Sequence, residues 1–440
     1  MLKSNIAWMK KNVPSDLKVW KGMIQDIDWS QVAAKTKLSL QRDKDRITAE
    51  FKEFAAMDTS AKIDWLMNGD RHLGYLYKKD AIAFARREWK GLKSVGYDFV
   101  GWLKIWGGML NMVMKDPMSI MLAVFEYHWF ASYLATPAVV DRSVFGRRGK
   151  LLQADFDMWV AITHWAEDLI ANLIMADAKI GGNQKINKRI IMFDEMTMAQ
   201  MMAGFPNLLG IPYQMIPVFM VSEMDQLTLI PYIDAIESYG LPSDTCPLPT
   251  AECGCAVKDE YPMCGQGFIA SSMPCDGSVM ATSFQDRRFS KFMPSYPLCM
   301  PVRYDDEDTT EMAAADMKDC IHWVEGLTGE TWNWDTYFAT MEKMNECTRL
   351  EMEKWEINKT HYPQLVGSSF ELFRKWNYEM DGGLFPEGLK TQRKICKTMM
   401  ETYEKKLPAY VGGYEKYRAL IWSCPAHFYA NFSNWLANCW

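Results

Sequence analysis

The cysteines are the residues of this chain with the clearest potential for chemistry. All eleven lie at or after Cys246, and five of them lie between Cys246 and Cys275. Thiolates bind zinc and the iron of iron–sulfur clusters. This pattern indicates a metal or cluster site in the second half of the chain.

The spacing of these five cysteines excludes a self-contained local site. Six, one, eight and ten residues separate them in turn, unlike the paired C-x2-C units of structural zinc sites or the ferredoxin run. A site built from distant loops stays open, with Cys246 in a proline-flanked loop and Cys275 at a strand end as candidate ligands. The alternative is that both are buried thiols in the core. For Cys320, Cys347 and Cys396, on predicted helices, we expect burial.

Other candidate groups are weaker. His164, Glu167 and Asp168 share one helical face and could bind a metal. Such a trio is common on helix surfaces, and we favour the interpretation that these residues belong to an ordinary helix surface. His128 and Glu126 lie in an apolar segment, where charge needs a partner, so we expect a satisfied buried pair.

Nucleotide and nucleophile motifs are absent from the sequence. It contains no P-loop, no dinucleotide-binding glycine pattern and no nucleophile elbow. Ser271 and Ser272 follow a predicted strand and are weak catalytic candidates, because no base is marked beside them.

Composition excludes several function classes. The 440 residues carry a net charge of -6, which gives no basic patch for nucleic acid or an anionic membrane. The N-terminus lacks the apolar run of a secretory signal, so we expect a cytoplasmic protein with reduced thiols. Residues 118–140 are long enough to span a bilayer, but Glu126 and His128 favour a buried helix.

The elements that must position the thiols change in character along the chain. Residues 1–188 have helical periodicity, for example across 45–65, 78–95 and 155–180, and predict a mostly α-helical domain. Residues 189–330 alternate strands (190–193, 213–221, 268–272 and 297–304) with helices, the second strand being followed by a helix over 227–239. This order is typical of a Rossmann-like parallel-sheet lobe, which here carries the cysteine loop.

The last part of the chain predicts two further units. Residues 331–412 read as a helical connecting region, with helices over 334–359, 370–378 and 389–406. Residues 413–440 read as a strand and one helix, which cannot form a sheet alone. We therefore expect the sequence to stop at the beginning of a second, incomplete α/β lobe.

An ordered set of short motifs runs from residue 190 to residue 440. Each motif is weak alone, and their order and spacing carry the signal: Asp244-Thr-Cys246-Pro after Tyr239-Gly240, Pro274-Cys275-Asp276, Pro301-Val-Arg-Tyr304 before Thr310-Glu311, Val324-Glu-Gly-Leu-Thr-Gly329 before Asn345-Glu346, and Gly413-x-x-Lys416-Tyr417-Arg418. In these motifs the chain resembles subunits of the 2-hydroxyacyl-CoA dehydratases, such as the 2-hydroxyglutaryl-CoA dehydratase D-component, and the related benzoyl-CoA reductases.

The resemblance implies a cofactor and a reaction. In the family, three cysteines hold a [4Fe-4S] cluster between two lobes, and Cys246 and Cys275 match the first two ligands. An ATP-hydrolysing iron–sulfur activator supplies one electron to an acyl-CoA substrate. The thioester becomes a ketyl radical, expels the 2-hydroxyl and loses a proton, so that an enoyl-CoA forms and the electron is recovered. A second, related subunit is the expected partner.

The chain departs from the family pattern twice. The third ligand belongs to the second lobe, and Cys424 and Cys439 lie too early to be it. The arginine often found after the first cysteine is replaced by Leu248-Pro249-Thr250. The alternatives are therefore a benzoyl-CoA reductase-type subunit, or a non-catalytic scaffold or relay subunit with a zinc or empty thiol site.

Overall fold

The architecture comes from a computed structural model. It describes residues 28–68, 91–134, 150–194, 199–213, 215–219, 226–242, 244–271, 276–289, 291–299, 306–362 and 386–406, together with residues 21, 25, 221 and 301. The predicted helix over 370–378 and the predicted second lobe over 413–440 lie outside these residues.

The first part of the chain is helical where it is described, as the periodicity predicts. Its helices are α1 (Trp29–Ala56), α2 (Thr59–Asn68), α3 (Leu92–Lys115), α4 (Pro117–Glu126), α5 (Phe130–Leu134), α6 (Lys150–Ala176) and the single turn α7 (Gln184–Asn187). Asp28 caps α1 through hydrogen bonds from the Ser30 and Gln31 backbone N–H groups, satisfying donors that a helix start leaves free. Residues 69–90, which include most of the helix expected over 78–95, are not described.

The apolar segment that begins at residue 118 is two short helices rather than one long one. Between α4 and α5, the His128 backbone N–H donates to the Glu260 carboxylate at 2.8 Å, and the Trp129 indole N–H donates to the Glu260 carbonyl. These two hydrogen bonds hold the connection between α4 and α5 against Glu260 in the second half of the chain. No helix in the described ranges is both long and apolar enough to cross a bilayer.

A four-stranded parallel sheet forms the centre of the second half, in agreement with the predicted fold class. Its strands are β1 (Ile190–Phe193), β2 (Leu209–Pro212), β3 (Gly267–Ser271) and β4 (Ser295–Leu298). Their order is β2-β1-β3-β4, with Phe193 paired to Ile269 and Ser271 to Leu298. Sequence patterning placed β1 and β3 correctly.

The other two strands lie earlier than predicted. The expected strand over 213–221 is wrong, because β2 ends at Pro212 and Met215–Phe219 forms a short π-helix. Pro217 lies within that segment and has no N–H to donate to a strand ladder. The strand expected over 297–304 is shifted to Ser295–Leu298. After it, the Cys299 backbone N–H donates to the Asp316 side chain at 2.5 Å instead of to a strand.

The expected cysteine loop is also wrong. Residues Pro247–Val257 form helix α9, preceded by the 3-10 turn Gln226–Leu229 and helix α8 (Ile230–Glu237). Prolines and Gly254 suggest a loop, yet proline fits the first turn of a helix because its missing N–H would have no partner there. From Leu248 to Ala256, every residue of α9 is buried.

Four longer helices complete the described chain: α10 (Asp276–Phe289), α11 (Glu307–Thr328), α12 (Trp334–Asn358) and α13 (Pro386–Glu404). The last three confirm the sequence expectations. Asp306 caps the start of α11 by accepting a hydrogen bond from the Thr309 backbone N–H. Gly329 ends the helix at φ 74°, a left-handed conformation that glycine adopts without steric cost.

Helices cover both faces of the sheet. On one face, Met192, Phe268 and Ala270 belong to a large core shared with α4, α5, α6 and α9. On the other face, Ile191 and Ile269 pack with Leu298 and with Cys320 of α11. The larger core extends across residue 188, and the division of the chain into domains at that point stays a prediction from sequence.

Candidate functional site

The sheet order creates a topological switch point between β1 and β3. From β1 the chain moves to β2 on one side, and from β2 it crosses to β3 on the other. In open parallel sheets, ligands bind in the crevice outside the carboxyl ends of the strands at such a point. Here those ends are Phe193, followed by Asp194, and Ser271.

Asp194 joins the structural elements that meet at this crevice. Its carboxylate accepts hydrogen bonds from the Ser271 backbone N–H at 2.5 Å and from the Ser271 hydroxyl at 2.9 Å. It also accepts one from the Thr282 hydroxyl of α10 at 3.5 Å. Only 2% of Asp194 is exposed, so the carboxylate stabilises the junction from inside. Sequence reasoning missed this residue, and its signal was the first acidic position after an apolar strand.

In this arrangement the Ser271 hydroxyl has a structural role. It is 2% exposed, and its hydroxyl donates to Asp194. The catalytic role suggested for Ser271 therefore stays a prediction. Its burial does not favour that role. Ser272, the other weak candidate, lies outside the described residues.

Cys246 lies at the start of α9, exposed to solvent. The Thr250 backbone N–H and hydroxyl both donate to the Cys246 carbonyl, at 3.2 and 2.8 Å, which begins the helix. A helix N-terminus carries a partial positive charge that favours an anion such as a thiolate. The residue is thus presented where a ligand can reach it.

The direction of α9 indicates that Cys246 lies toward the edge of the sheet that has the switch point. Just after the other end of α9, Asp259 pairs with Lys179 at 2.9 Å. Lys179 lies before β1, and the Gln266 backbone N–H donates to the Ile190 carbonyl where β1 starts. The end of α9 therefore lies near the amino ends of the strands, so its beginning at Cys246 lies toward their carboxyl ends.

Cys275 itself lies outside the described residues. Its neighbours in sequence are Ser271, at the carboxyl end of β3, and α10, which begins at Asp276 and packs beside α9. The expectation that Cys275 joins Cys246 at this edge stays a prediction.

The other described thiols are divided by exposure. Burial raises the pKa of Cys253 and of Cys320 to about 12, and burial raises that of Cys264 well above its ordinary value. Cys255, Cys347 and Cys396 are buried as well, so the burial expected for Cys320, Cys347 and Cys396 is confirmed. Only Cys246 and Cys299 are exposed among the described cysteines, and Cys299 directly follows β4.

The trio on α6 does not act as a unit. The His164 ring hydrogen-bonds the Lys104 carbonyl at 2.7 Å, and Asp168 pairs with Lys115 at 2.6 Å. Glu167 turns inward and is 3% exposed. Within the described ranges, no three histidine, cysteine, aspartate or glutamate side chains come together as a metal site.

The predicted pair of Glu126 and His128 has a different arrangement. His128 binds Glu260 through its backbone N–H, and its ring lies edge-on to Tyr232. Burial raises the pKa of the Glu126 carboxyl. The carboxylate that His128 contacts is therefore Glu260 rather than Glu126. Glu260 also accepts a hydrogen bond from the Tyr232 hydroxyl at 2.6 Å.

A comparison with known protein families gives a match in the part of the chain that carries these cysteines. Residues 226–439 match the model of the 2-hydroxyglutaryl-CoA dehydratase D-component. Over this segment, the chain is similar to that dehydratase family. A search of curated proteins found no match.

The matched segment contains only part of the candidate site. It includes Cys246, Cys275, β3 and β4, and it begins after β1 and β2. Asp194 therefore lies outside the matched segment, although it contacts Ser271 within it. Residues 226–439 are similar to a subunit of the 2-hydroxyacyl-CoA dehydratase type.

Proposed function

We propose that the chain is a subunit of an ATP-activated, iron–sulfur-dependent 2-hydroxyacyl-CoA dehydratase. The reaction removes water from a 2-hydroxyacyl-CoA through a ketyl radical and gives an enoyl-CoA. Its partners are a second, related subunit, an ATP-hydrolysing iron–sulfur activator and the acyl-CoA substrate, in the cytoplasm. The family match supports the dehydratase type, and the motif resemblance supports the cofactor and the radical route.

The observation that carries this proposal is the placement of Cys246. It is an exposed cysteine at the start of α9, and the direction of α9 supports a position toward the edge of the sheet where parallel α/β folds bind ligands. The neighbouring thiols Cys253, Cys255 and Cys264 are buried. Cys246 thus differs in exposure from these three core thiols.

The exposed Cys246, the one described residue of the two proposed ligands, fits a thiolate-bound cluster. Cys246 and Cys275 would hold a [4Fe-4S] cluster, since thiolates are the usual ligands of such iron. When bound, the cluster supplies a low-potential electron and an iron that accepts a substrate oxygen. Burial raises the pKa of Cys253 to about 12 and that of Cys264 well above its ordinary value, so both thiols stay protonated in the metal-free chain.

The surrounding residues supply position and rigidity. The hydrogen bonds from Thr250 to the Cys246 carbonyl fix the first turn of α9. Leu248, which stands in the segment where relatives often carry an arginine, is buried in the core. Position 248 therefore offers a thioester substrate no cationic side chain.

Turnover with partners tests the proposal. The chain is combined anaerobically with its partner subunit, the activator, ATP and a 2-hydroxyacyl-CoA, and enoyl-CoA and reductant are measured. We expect enoyl-CoA to accumulate in large excess over the electrons supplied. Consumption of electrons in proportion to product would instead identify a benzoyl-CoA reductase-type subunit. Zinc without sulfide in the purified chain would identify a non-catalytic scaffold. Either result overturns the proposal.

A further inference from the structure

We propose that α3 carries an interface through which two copies of this chain associate, α3 of one copy packing against α3 of the other. The interface is an apolar stripe of exposed residues, namely Leu92, Val95, Phe99, Trp102, Leu103, Trp106, Leu110 and Met114. The stripe lies before the segment matched by the family model. The proposal therefore does not depend on the proposed dehydratase function.

The apolar stripe is one continuous face of the helix. At about 100° per residue, its positions fall within an arc of about 120°, and no charged residue of α3 falls within that arc. At about 1.5 Å per residue, the stripe runs roughly 33 Å along the helix. The Phe99 ring stacks on Trp102 with 6.4 Å between centroids, and Trp102 lies 5.7 Å from Trp106. These three rings form the centre of an uncharged surface.

The opposite face of α3 already joins the helix to the rest of the chain. Gly101, Ile105 and Met112 are buried, and Met112 belongs to the large core. A Cβ atom added at Gly108 would overlap the Glu167 carboxylate of α6. A helix packed on one side usually presents polar residues on the other. The apolar stripe is therefore a second apolar face, and large exposed apolar patches mark interaction sites.

The charges around the apolar stripe favour a protein surface over a lipid bilayer. Helices that lie on anionic membranes have lysine and arginine around an inserted apolar face. The lysines of α3 (Lys93, Lys104 and Lys115) lie about 120–160° from the centre of the stripe, and Lys115 pairs with Asp168 at 2.6 Å. The net charge of the whole chain is -6, which opposes binding to an anionic membrane.

Spacing and area favour a second copy as the occupant. Leu92, Val95, Phe99, Trp102 and Trp106 follow one another in alternating steps of three and four residues, the spacing by which helices pack against each other. The residues of the stripe are between 39% and 64% exposed. They present on the order of 800 Å² of surface, which is the share that each partner contributes to a standard interface. Because the stripe is uncharged, the same face of a second copy can cover it in a two-fold arrangement without burying an unpaired charge.

Sedimentation velocity of the full chain tests the proposal. The double variant Leu103→Glu with Leu110→Glu places two charges on the stripe, two turns apart, at exposed positions. Met352→Glu, at an exposed methionine of α12, is the matched control. At about 10 µM chain, we expect a dimer for the wild type and for Met352→Glu, and a monomer for the double variant, with association weakened at least about 10-fold.

Hydrogen exchange locates the interface within the chain. We expect the amides of 92–114 to exchange more slowly in the wild type than in the double variant, and those of α13 to exchange equally in both. Circular dichroism checks that the double variant is folded. If it is not, Leu110→Ser provides a milder change at one exposed position, and we expect it to weaken the dimer.

Three outcomes would overturn the proposal. One is a wild-type chain that stays monomeric, and another is a dimer that persists unchanged in the folded double variant or in Leu110→Ser. The third is flotation of a monomeric wild-type chain with vesicles of phosphatidylcholine and phosphatidylglycerol, which would assign the apolar stripe to a membrane surface.

Discussion

Gly254 of α9 lies directly against the backbone carbonyl of Tyr232 on α8. A Cβ atom added at Gly254 would overlap the Tyr232 carbonyl oxygen and its neighbouring backbone atoms. Only glycine allows the two helices to approach this closely. The contact sets how deeply α9 is seated, and with it the position of Cys246 at the start of α9.

We expect Gly254→Ala to destabilise the fold by about 1–3 kcal/mol or more, because backbone atoms must move to admit the methyl group. Chemical denaturation of the variant measures this change. Gly326→Ala is the matched control, since nothing lies within 4 Å of its added Cβ in α11. That substitution should be neutral or stabilising by roughly 0.5–1 kcal/mol, and equal loss in both variants would contradict the close packing.

Thiol labelling separates the exposed cysteines from those in the core. In native, metal-free protein at about pH 8, we expect Cys246 and Cys299 to react with iodoacetamide at least about 10-fold faster than Cys253 or Cys320. Burial and a pKa of about 12 keep the latter two thiols protonated. Peptide mass spectrometry gives the rates, and labelling of Cys253 as fast as Cys246 would refute the buried placement of α9.

Glu167 makes stability depend on pH. Among the described residues, neither of its carboxylate oxygens has a hydrogen-bond partner. Burial, and then the neighbouring charge of Asp168, raise its pKa to about 8. Because this value exceeds that of an unfolded glutamate, the stabilising contribution of the protonated form is present at low pH. It is lost as the pH rises through about 8.

The substitution Glu167→Gln should remove that dependence. Relative to the wild type, we expect the variant to gain about 2–4 kcal/mol in unfolding free energy between about pH 5 and about pH 9. Denaturation curves at both pH values measure the gain, and Glu237→Gln, at an exposed carboxylate of α8, is the control. A gain that is the same at both pH values would show that ionisation of Glu167 is not its source.

Sequence patterns predicted the parts of the fold that depend on local periodicity. The apolar run of β1 and the capped, amphipathic α11 are examples, since hydrophobic spacing and end signals decide them. The helix α9 was missed because its stability comes from burial on nearly every side and from the glycine contact with Tyr232. Those are tertiary effects that prolines and cysteines in sequence do not reveal.

The geometry of the candidate site could not be predicted from sequence. Family motifs selected Cys246, whose role as a ligand stays a prediction, and the structure shows it exposed at a helix start. The contact of Asp194 with Ser271 joins positions far apart in sequence, which no local pattern can indicate. Cys275 keeps its predicted role without a described position.

Iron and acid-labile sulfide content tests the central claim most directly, namely that Cys246 is a cluster ligand. The chain is purified anaerobically as wild type, Cys246→Ser and Cys299→Ser, the last being an exposed cysteine that is not one of the proposed cluster ligands. We expect about four iron and four sulfide per wild-type chain, loss of most of both in Cys246→Ser, and wild-type content in Cys299→Ser. Unchanged iron and sulfide in Cys246→Ser, or zinc without sulfide in the wild type, would contradict the claim.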